Sequence, residues 1–462
     1  MNRFSNRVRC ACAAAIFGLS TAFSAPVAVA DSLADALIGA YRTSDLLEQN
    51  RALLRATDEN VGLAMSNLRP ILNYALRQQH TRNATSTSGV SNATSAEITA
   101  TMLLWDNGAT RLSVEAAKES VLATRAALLD LEQSVLLNAV IGFSQVRSTA
   151  EVVALRQNNV RLITEQLRAA KDRFEVGEVT RTDVALAEAR LAEARAGLVA
   201  AEGDFATSRE LYKSIVGRFP DNLVTPGSFP ATANSLQEAK AVAQRRHPSI
   251  IQAQHVVRAN ELNTDATQKA IFPTLSANAT VSRNSSNSNL TTSSLGVALT
   301  GPIYSGGRIS AQYRQVVQQT EASRAALRDQ VNSVELAVAD AWFQVQVAQA
   351  RIEASERQIR SATVAFRGVT EEASLGARTT LDVLNAEQDL LDARTARVTA
   401  AADHLRATYT LLQSMGLLTV EHLKLGIPTY DASVYFNAVS DAPPTSTRGA
   451  RLDKVLQSIG QN

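Results

Sequence analysis

Residues 171–184 read KDRFEVGEVTRTDV and residues 370–383 read TEEASLGARTTLDV. Each stretch holds one Gly, a Thr-rich step and then Asp-Val, inside a long run with no other turn signal. Gly177 and Gly376 are 199 positions apart, and the likeness extends outward from both. LLWDNGATR sets Trp105 72 residues before Gly177, and GPIYSGGR sets Tyr304 72 residues before Gly376. Upstream, SNLRPILNYAL and KAIFPTLSANA place Pro70 and Pro273 at the close of helical runs, 203 apart. The two halves therefore differ by four residues between the Pro and the aromatic. A chain of 462 residues exceeds one ordinary core, and self-similarity at this period makes each half one structural unit. The expected division is 31–230 and 231–430, followed by a partly disordered tail, 431–462.

The first thirty residues are read as a secretory leader. Arg3, Arg7 and Arg9 form a positive n-region, AAAIFGLSTAF is a short apolar stretch, and Ala28-Val29-Ala30 fits a small-x-small cleavage site before Asp31. Removing three Arg takes the net charge from +2 to −1, which leaves no basic excess to attract nucleic acid. Cys10 and Cys12 both lie in the leader, so the mature chain is expected to have no disulfide, thiolate metal site or Cys nucleophile. Neither Cys follows the pattern of a lipoprotein signal. No later stretch approaches twenty apolar residues free of charge, so entry into a membrane would not use a transmembrane helix.

After each Asp-Val the apolar spacing is heptad. Val184, Leu191, Leu198, Phe205 and Tyr212 step by seven, with Ala187, Ala194 and Ala201 between them. Ala386, Ala393, Ala400 and Ala407 hold the same register beside Leu384, Leu391, Val398, Leu405 and Leu412. Val114, Val121, Leu128 and Val135 supply a matching series before the first Gly. A 3.5-residue period makes coiled-coil pairs, and Ala at one seam position lets the axes approach closely. The Pro-free run from Gly108 to the first reversal implies a helix of about 100 Å at 1.5 Å per residue. A soluble coiled-coil adaptor or structural rod is one reading of such helices.

The segments between Pro and aromatic argue for another. Leu72, Tyr74 and Leu76 alternate with polar or small residues, as do Ile98, Ala100, Met102 and Leu104. Leu275, Ala277, Ala279 and Val281 repeat the pattern, followed by Leu295, Val297 and Leu299. Period-2 alternation predicts strands with one apolar and one polar face, paired as hairpins 71–85 with 94–106 and 273–285 with 292–304. The Asn/Ser/Thr-rich connections are solvated loops, in which Asn83 and Asn289 head chance Asn-x-Ser/Thr matches. Strands with apolar-out, polar-in faces suit a membrane β-barrel, and four strands are too few to close one. Other chains must complete it.

Helix, Pro, strand, loop, strand, aromatic-Gly, long helix, Val/Leu-Gly tip and Thr/Leu-Asp-Val restart, all twice over, resembles the TolC family of bacterial outer-membrane channel proteins across nearly the whole mature chain. The resemblance implies a mainly α fold with a membrane β-barrel. Three protomers would each give four strands to a twelve-stranded outer-membrane barrel, continued by an α-helical coiled-coil barrel across the periplasm. It further implies a homotrimeric exit duct without enzymatic chemistry or cofactor, working with a periplasmic membrane-fusion adaptor and an inner-membrane transporter of ABC or RND type. Proteins of type I secretion or small toxic compounds would be the cargo. LGIPTYDASVYFNAV near the end resembles the closing segment of members that serve type I secretion.

In that family the reversals are periplasmic tips that meet the adaptor, which here are Val176, Gly177, Glu178 and Leu375, Gly376, Ala377. The family narrows its entrance with acidic residues just after the second tip. Asp382 matches the first such position, and Asn385 stands at the second without charge. Arg378 and Asp183 match a family latch between the tips, whereas Ala373 stands where the family latch has a Tyr. From spacing alone, Thr180 with Asp183 and Thr379 with Asp382 are N-cap and N3 of capping boxes that restart the helices. His80, His247, His255, His404 and His422 show no ligand spacing, and His404 takes a seam position where packing is its expected role. Trp105, Phe272 and Tyr304 stand near strand ends, where an aromatic belt or plain packing would place them.

Overall fold

The computed structural model describes residues 31–82, 90–224, 227, 229–230, 232–285, 290–440 and 454. The expected leader, the two Asn-x-Ser/Thr matches headed by Asn83 and Asn289, and the tail beyond 440 apart from Lys454 lie outside the described residues. The first half runs α1 (Leu33–Thr43), α2 (Asp45–Ser66), β1 (Ile71–Arg82), β2 (Val90–Trp105), α3 (Ala109–Glu175) and α4 (Arg181–Val216). The second repeats that order as α5 (Leu236–Arg246), α6 (Pro248–Lys269), β3 (Thr274–Asn284), β4 (Leu290–Thr300), α7 (Arg308–Ser374) and α8 (Thr380–Ser414), with α9 (Ala432–Val439) after it.

The long helices α3 and α7 have 67 residues each, hence about 100 Å. They pair with α4 and α8 as two antiparallel hairpins. Along α4 the buried positions are Ala187, Leu191, Ala194, Ala201, Ser208, Tyr212 and Val216. Of the heptad series read from the sequence, Leu191, Tyr212 and the three Ala are buried, while Val184, Leu198 and Phe205 are only half-buried. Along α8 the stripe is wider, with Val383 and Leu384, then Glu387, then Leu390 and Leu391 all buried. The reason is that α8 packs on α3 and α4 as well as on its own partner α7.

The four strands form one antiparallel sheet in the order β1-β2-β3-β4. Directly paired residues share a face. Register therefore aligns Leu72, Ala100, Ala279 and Leu295 in one row, and Tyr74, Ile98 and Val281 in the next. The opposite face carries Ile71, Thr101, Asn278 and Gly296. Leu72, Tyr74, Leu76 and Leu295 are among the most exposed apolar side chains of the chain, at 73%, 81%, 73% and 84%. An apolar face left bare in this way is not built for water. The register shifts between Leu103 and Trp105, which brings Trp105 opposite Leu275. The first hairpin is the longer, with strands of 12 and 16 residues against 11 and 11. β2 starts at Val90 rather than 94, and β4 stops at Thr300 rather than 304. Gly301-Pro302 follows, and Pro has no N–H to extend the ladder, so Tyr304 stands beyond the strand.

A core midway along the helices joins the two halves. Leu136, Phe143, Tyr212, Leu412 and Leu418 are fully buried in it, together with Leu37 and Ala40 of α1. By length and composition α3 would pass for a membrane-spanning helix. Its Val135, Leu136, Ala139, Val140 and Phe143 are instead buried within this core. The C-terminal segment straps over α2 and α3. Arg51 lies between the rings of Tyr41 and Tyr430 at 5.2 and 5.3 Å, and Arg125 lies over Phe436 at 5.1 Å while donating to the Ala432 carbonyl. His404 meets Phe229 edge-on at 4.9 Å.

Gly416 closes α8 in the left-handed region, φ +74°, where a Cβ would come 2.7 Å from His247 Cα and 3.0 Å from the Arg246 carbonyl. Both obstacles are backbone at the α5–α6 corner and cannot swing aside. Gly177 has a similar φ, +80°, in open space. Gly177→Ala is therefore expected to cost only the left-handed conformation, about 1–2 kcal/mol. Gly416→Ala should cost clearly more, because the collision adds to it. Melting followed by helical circular dichroism separates the two, and equal losses would contradict the packing described.

Candidate functional site

Both helical hairpins turn by the same device. α3 ends with Gly177 at φ +80°, its N–H donating to the Phe174 carbonyl at 3.0 Å, and Glu178 N–H reaching back to Arg173 at 2.9 Å. α7 ends with Gly376 at φ +77°, its N–H donating to Ala373 at 3.2 Å, and Ala377 N–H to Glu372 at 2.9 Å. These are Schellman closures, which need a residue free to take positive φ. Two residues later each chain restarts a helix. Thr180 caps α4 and accepts from Asp183 N–H, while Asp183 accepts from Thr180 N–H at 2.9 Å and from its hydroxyl at 2.7 Å. Thr379 and Asp382 repeat this at 3.1 and 2.9 Å. The Thr379 backbone N–H and hydroxyl hold the Asp382 carboxyl below its usual range, with a smaller contribution from Arg378. The capping boxes read from sequence are present in both tips.

The tips leave a cavity of about 460 Å³ between them, lined by Arg173, Asp183, Ala373, Gly376, Arg378 and Thr379. Asp183 and Arg378 thus border one space, but within the protomer each is engaged locally. Arg378 Nε donates to Glu372 Oε2 of its own tip at 2.8 Å, and Asp183 is held by its cap. Pairing within one tip costs less chain ordering than reaching across the cavity. The contact that does cross is one the sequence reading missed. Arg173 Nη1 donates to the Ala373 carbonyl at 3.4 Å, so backbone serves at the position where a Tyr side chain was expected. Val176 and Leu375 stand out from the tips at 71% and 84% exposed.

Two further contacts join the hairpins beyond the tips. Arg190 Nη2 of α4 donates to Asn385 Oδ1 of α8 at 3.3 Å. Asn159 Nδ2 of α3 donates to Glu387 Oε1 of α8 at 2.8 Å, with both residues buried. Partners 195 and 228 positions apart leave no local signal. The one available hint was Glu387 itself, an acid within three residues of Leu384 on an apolar seam.

Comparison with known proteins places this geometry. The outer membrane efflux protein family matches residues 40–218 and 241–417, one segment in each half. The outer membrane efflux protein BepC of Brucella suis is 36% identical over 440 residues, spanning 93% of this chain and 95% of that protein. The outer membrane protein TolC of Escherichia coli is 23% identical over 458 residues, spanning 95% and 93%. Among solved structures, the outer membrane protein VceC of Vibrio cholerae superposes with a TM-score of 0.72 over 83% of this chain and 96% of that one, at 18% identity. The fold therefore has its counterpart in a known outer-membrane protein, and this chain belongs to the outer membrane efflux protein family.

Proposed function

We infer that three copies of this chain form an outer-membrane exit duct that receives cargo from an inner-membrane pump through a periplasmic adaptor. The observation that carries this reading is the sheet of four strands with a bare apolar face and single-sided pairing at β1 and β4, set on helices of about 100 Å. Such a sheet is complete only in lipid and only beside copies of itself. A soluble rod or adaptor does not account for it. The efflux family match and the 36% identity to the efflux protein BepC favour the efflux reading, with small toxic compounds as cargo, over type I secretion. Deleting the gene should sensitise cells to such compounds, with the protein recovered as a heat-dissociable trimer from the outer-membrane fraction. Unchanged sensitivity with loss of a secreted protein would assign the duct to type I secretion instead.

Val176, Gly177, Glu178 and Leu375, Gly376, Ala377 are the adaptor-contacting surface of the tips. Their side of each turn is open, with nothing within 4 Å of a Cβ built on Gly177 or Gly376. Gly177→Arg and Gly376→Arg should abolish transport in cells and leave the amount of trimer in the membrane nearly unchanged. A loss of trimer that tracks the loss of transport would make the two glycines purely structural.

Asp382 forms the charged constriction, with Asn385 as an uncharged second position. Three carboxylates held ionised by their caps set a preference for cations and a site of block for multivalent ones. Asp382→Ala should therefore lower cation selectivity and relieve block by multivalent cations in planar bilayers, at a cost in stability of about 1 kcal/mol for the lost cap. Asp183 and Arg378, which border the cavity between the tips, form the latch in the trimer. Asp183→Ala should raise conductance and Ala373→Tyr should lower it. Unchanged conductance in both would leave the Thr-Asp pairs as helix caps only.

A further inference from the structure

We propose that Asn159 and Glu387 form a buried clasp that holds the second helical hairpin against the first, and that the clasp releases when Glu387 gives up its proton. The proposal rests on the reading of the tips as the channel entrance, since the clasp lies just behind them.

Among the described residues three hydrogen bonds cross between the hairpins in this region, and they differ in kind. Arg190 with Asn385 is open to water, where such contacts are weak and screened, and Arg173 with Ala373 is only part-buried. Asn159 with Glu387 is closed off, each residue 4% exposed. It sits eight residues past Thr379, about 12 Å behind the cap at 1.5 Å per residue. One turn nearer the tip, Leu384 packs with Ile163, Ala187 and Leu191 of the first hairpin. Glu387 Oε1 takes the Asn159 amide at 2.8 Å, while Oε2 is buried without a hydrogen-bond partner. A neutral carboxyl costs less in this setting than a carboxylate, which leaves a full charge on an unsatisfied oxygen in an apolar seam.

The repeat supplies an internal comparison. Glu188 stands 199 residues before Glu387, at the same place in the first hairpin. Its side chain is 53% exposed and pairs with Lys171 at 2.8 Å. What sets Glu387 apart is not its place after the tip but the crossing of α8 over α3 and α4. The charged groups around it are engaged elsewhere or turned outward. On α4, Arg190 reaches Glu193 and Asn385. On α3, Arg156 lies over Gly197. Asp392 of α8 accepts from Gln388, and Arg367 of α7 is exposed. Burial therefore pushes the Glu387 carboxyl up to about 7, with only the Asn159 amide acting against it.

The direction of the pH effect follows. With α8 moved away, Glu387 meets water and returns toward its ordinary value of 4.5. Between that value and about 7 the released state has lost its proton while the clasped state still holds it, so the clasp weakens as pH rises through this window and changes no further above it. Asp382, held below the usual carboxylate range, titrates beneath the window.

The test uses full-length trimer, wild type and Glu387→Gln, whose side chain has the same shape and no proton to lose. Conductance in planar bilayers is read at about pH 5, near the foot of the window, and at about pH 8, above it. Hydrogen exchange across residues 380–390 is compared between the two proteins at each pH. Expected is a several-fold rise in wild-type conductance toward pH 8 that the variant lacks. Exchange should be equal in the two proteins at the lower pH and faster in wild type at the higher. A conductance rise that persists in the variant, or exchange that is equal at both pH values, overturns the clasp. Exchange that responds while conductance stays flat overturns instead the reading of the tips as the entrance. Should Glu387→Gln not reach the membrane, Glu387→Met supplies the same uncharged comparison.

Discussion

Backbone N–H and C=O groups at the edge of a sheet need partners, and in hydrocarbon no water supplies them. Among the described residues β1 and β4 each pair on one side only, and the face that carries Leu72, Tyr74 and Leu295 is left exposed. The trimer and the membrane both follow from that unmet requirement. A closed ring of strands satisfies every edge at once, and the apolar face then meets lipid instead of water. The protomer is thus a third of a structure, and its exposed apolar residues mark where the remainder belongs.

Below the sheet the problem changes. A helix of about 100 Å has too much surface to bury in any compact core, so it is held by a narrow seam and by small residues that let axes come close. Ala187, Ala194 and Ala201 do this in one hairpin, and Ala393 and Ala400 in the other. The apolar core sits midway, where Phe143, Tyr212, Leu412 and Leu418 draw both halves together. The larger apolar cluster lies at mid-height and a smaller one, around Ile163, Leu191 and Leu384, toward the tips, where local opening costs least.

At the tips the energies are small and local. Capping boxes and Schellman closures set the turns, each contributing about 1 kcal/mol, and exposed ion pairs such as Arg378 with Glu372 contribute less. Interactions of that size can be rearranged by a partner protein. The buried carboxyl of Glu387 is different in kind, because its alternatives are a neutral group that fits and a charged one that does not. A device with two states placed behind a set of weak contacts is suited to deciding whether they hold.

Much of this was readable in the residues. The 199-residue offset, the period-2 alternation, the heptad seams and the Gly-x-x-Thr-x-x-Asp restarts are local patterns, each tied to one dihedral preference, one capping geometry or one periodicity. They are enough for strands, helices, turns and the need for further copies, and the match to the efflux family agrees with them. Strand ends were less legible, since β4 stops at Gly301-Pro302 four residues before the aromatic that marks the repeat. What sequence could not settle is which helix faces which at long range. Arg173 reaching Ala373 and Asn159 meeting Glu387 depend on how the second hairpin lies against the first, a matter of packing between segments about two hundred residues apart. Glu188 and Glu387 occupy the same place in the repeat, yet one is solvated and paired while the other is sealed in apolar surroundings. Local sequence determined that each would lie on a helix just past a tip; only tertiary structure decided which would be buried, because desolvation depends on neighbours the chain brings from far away.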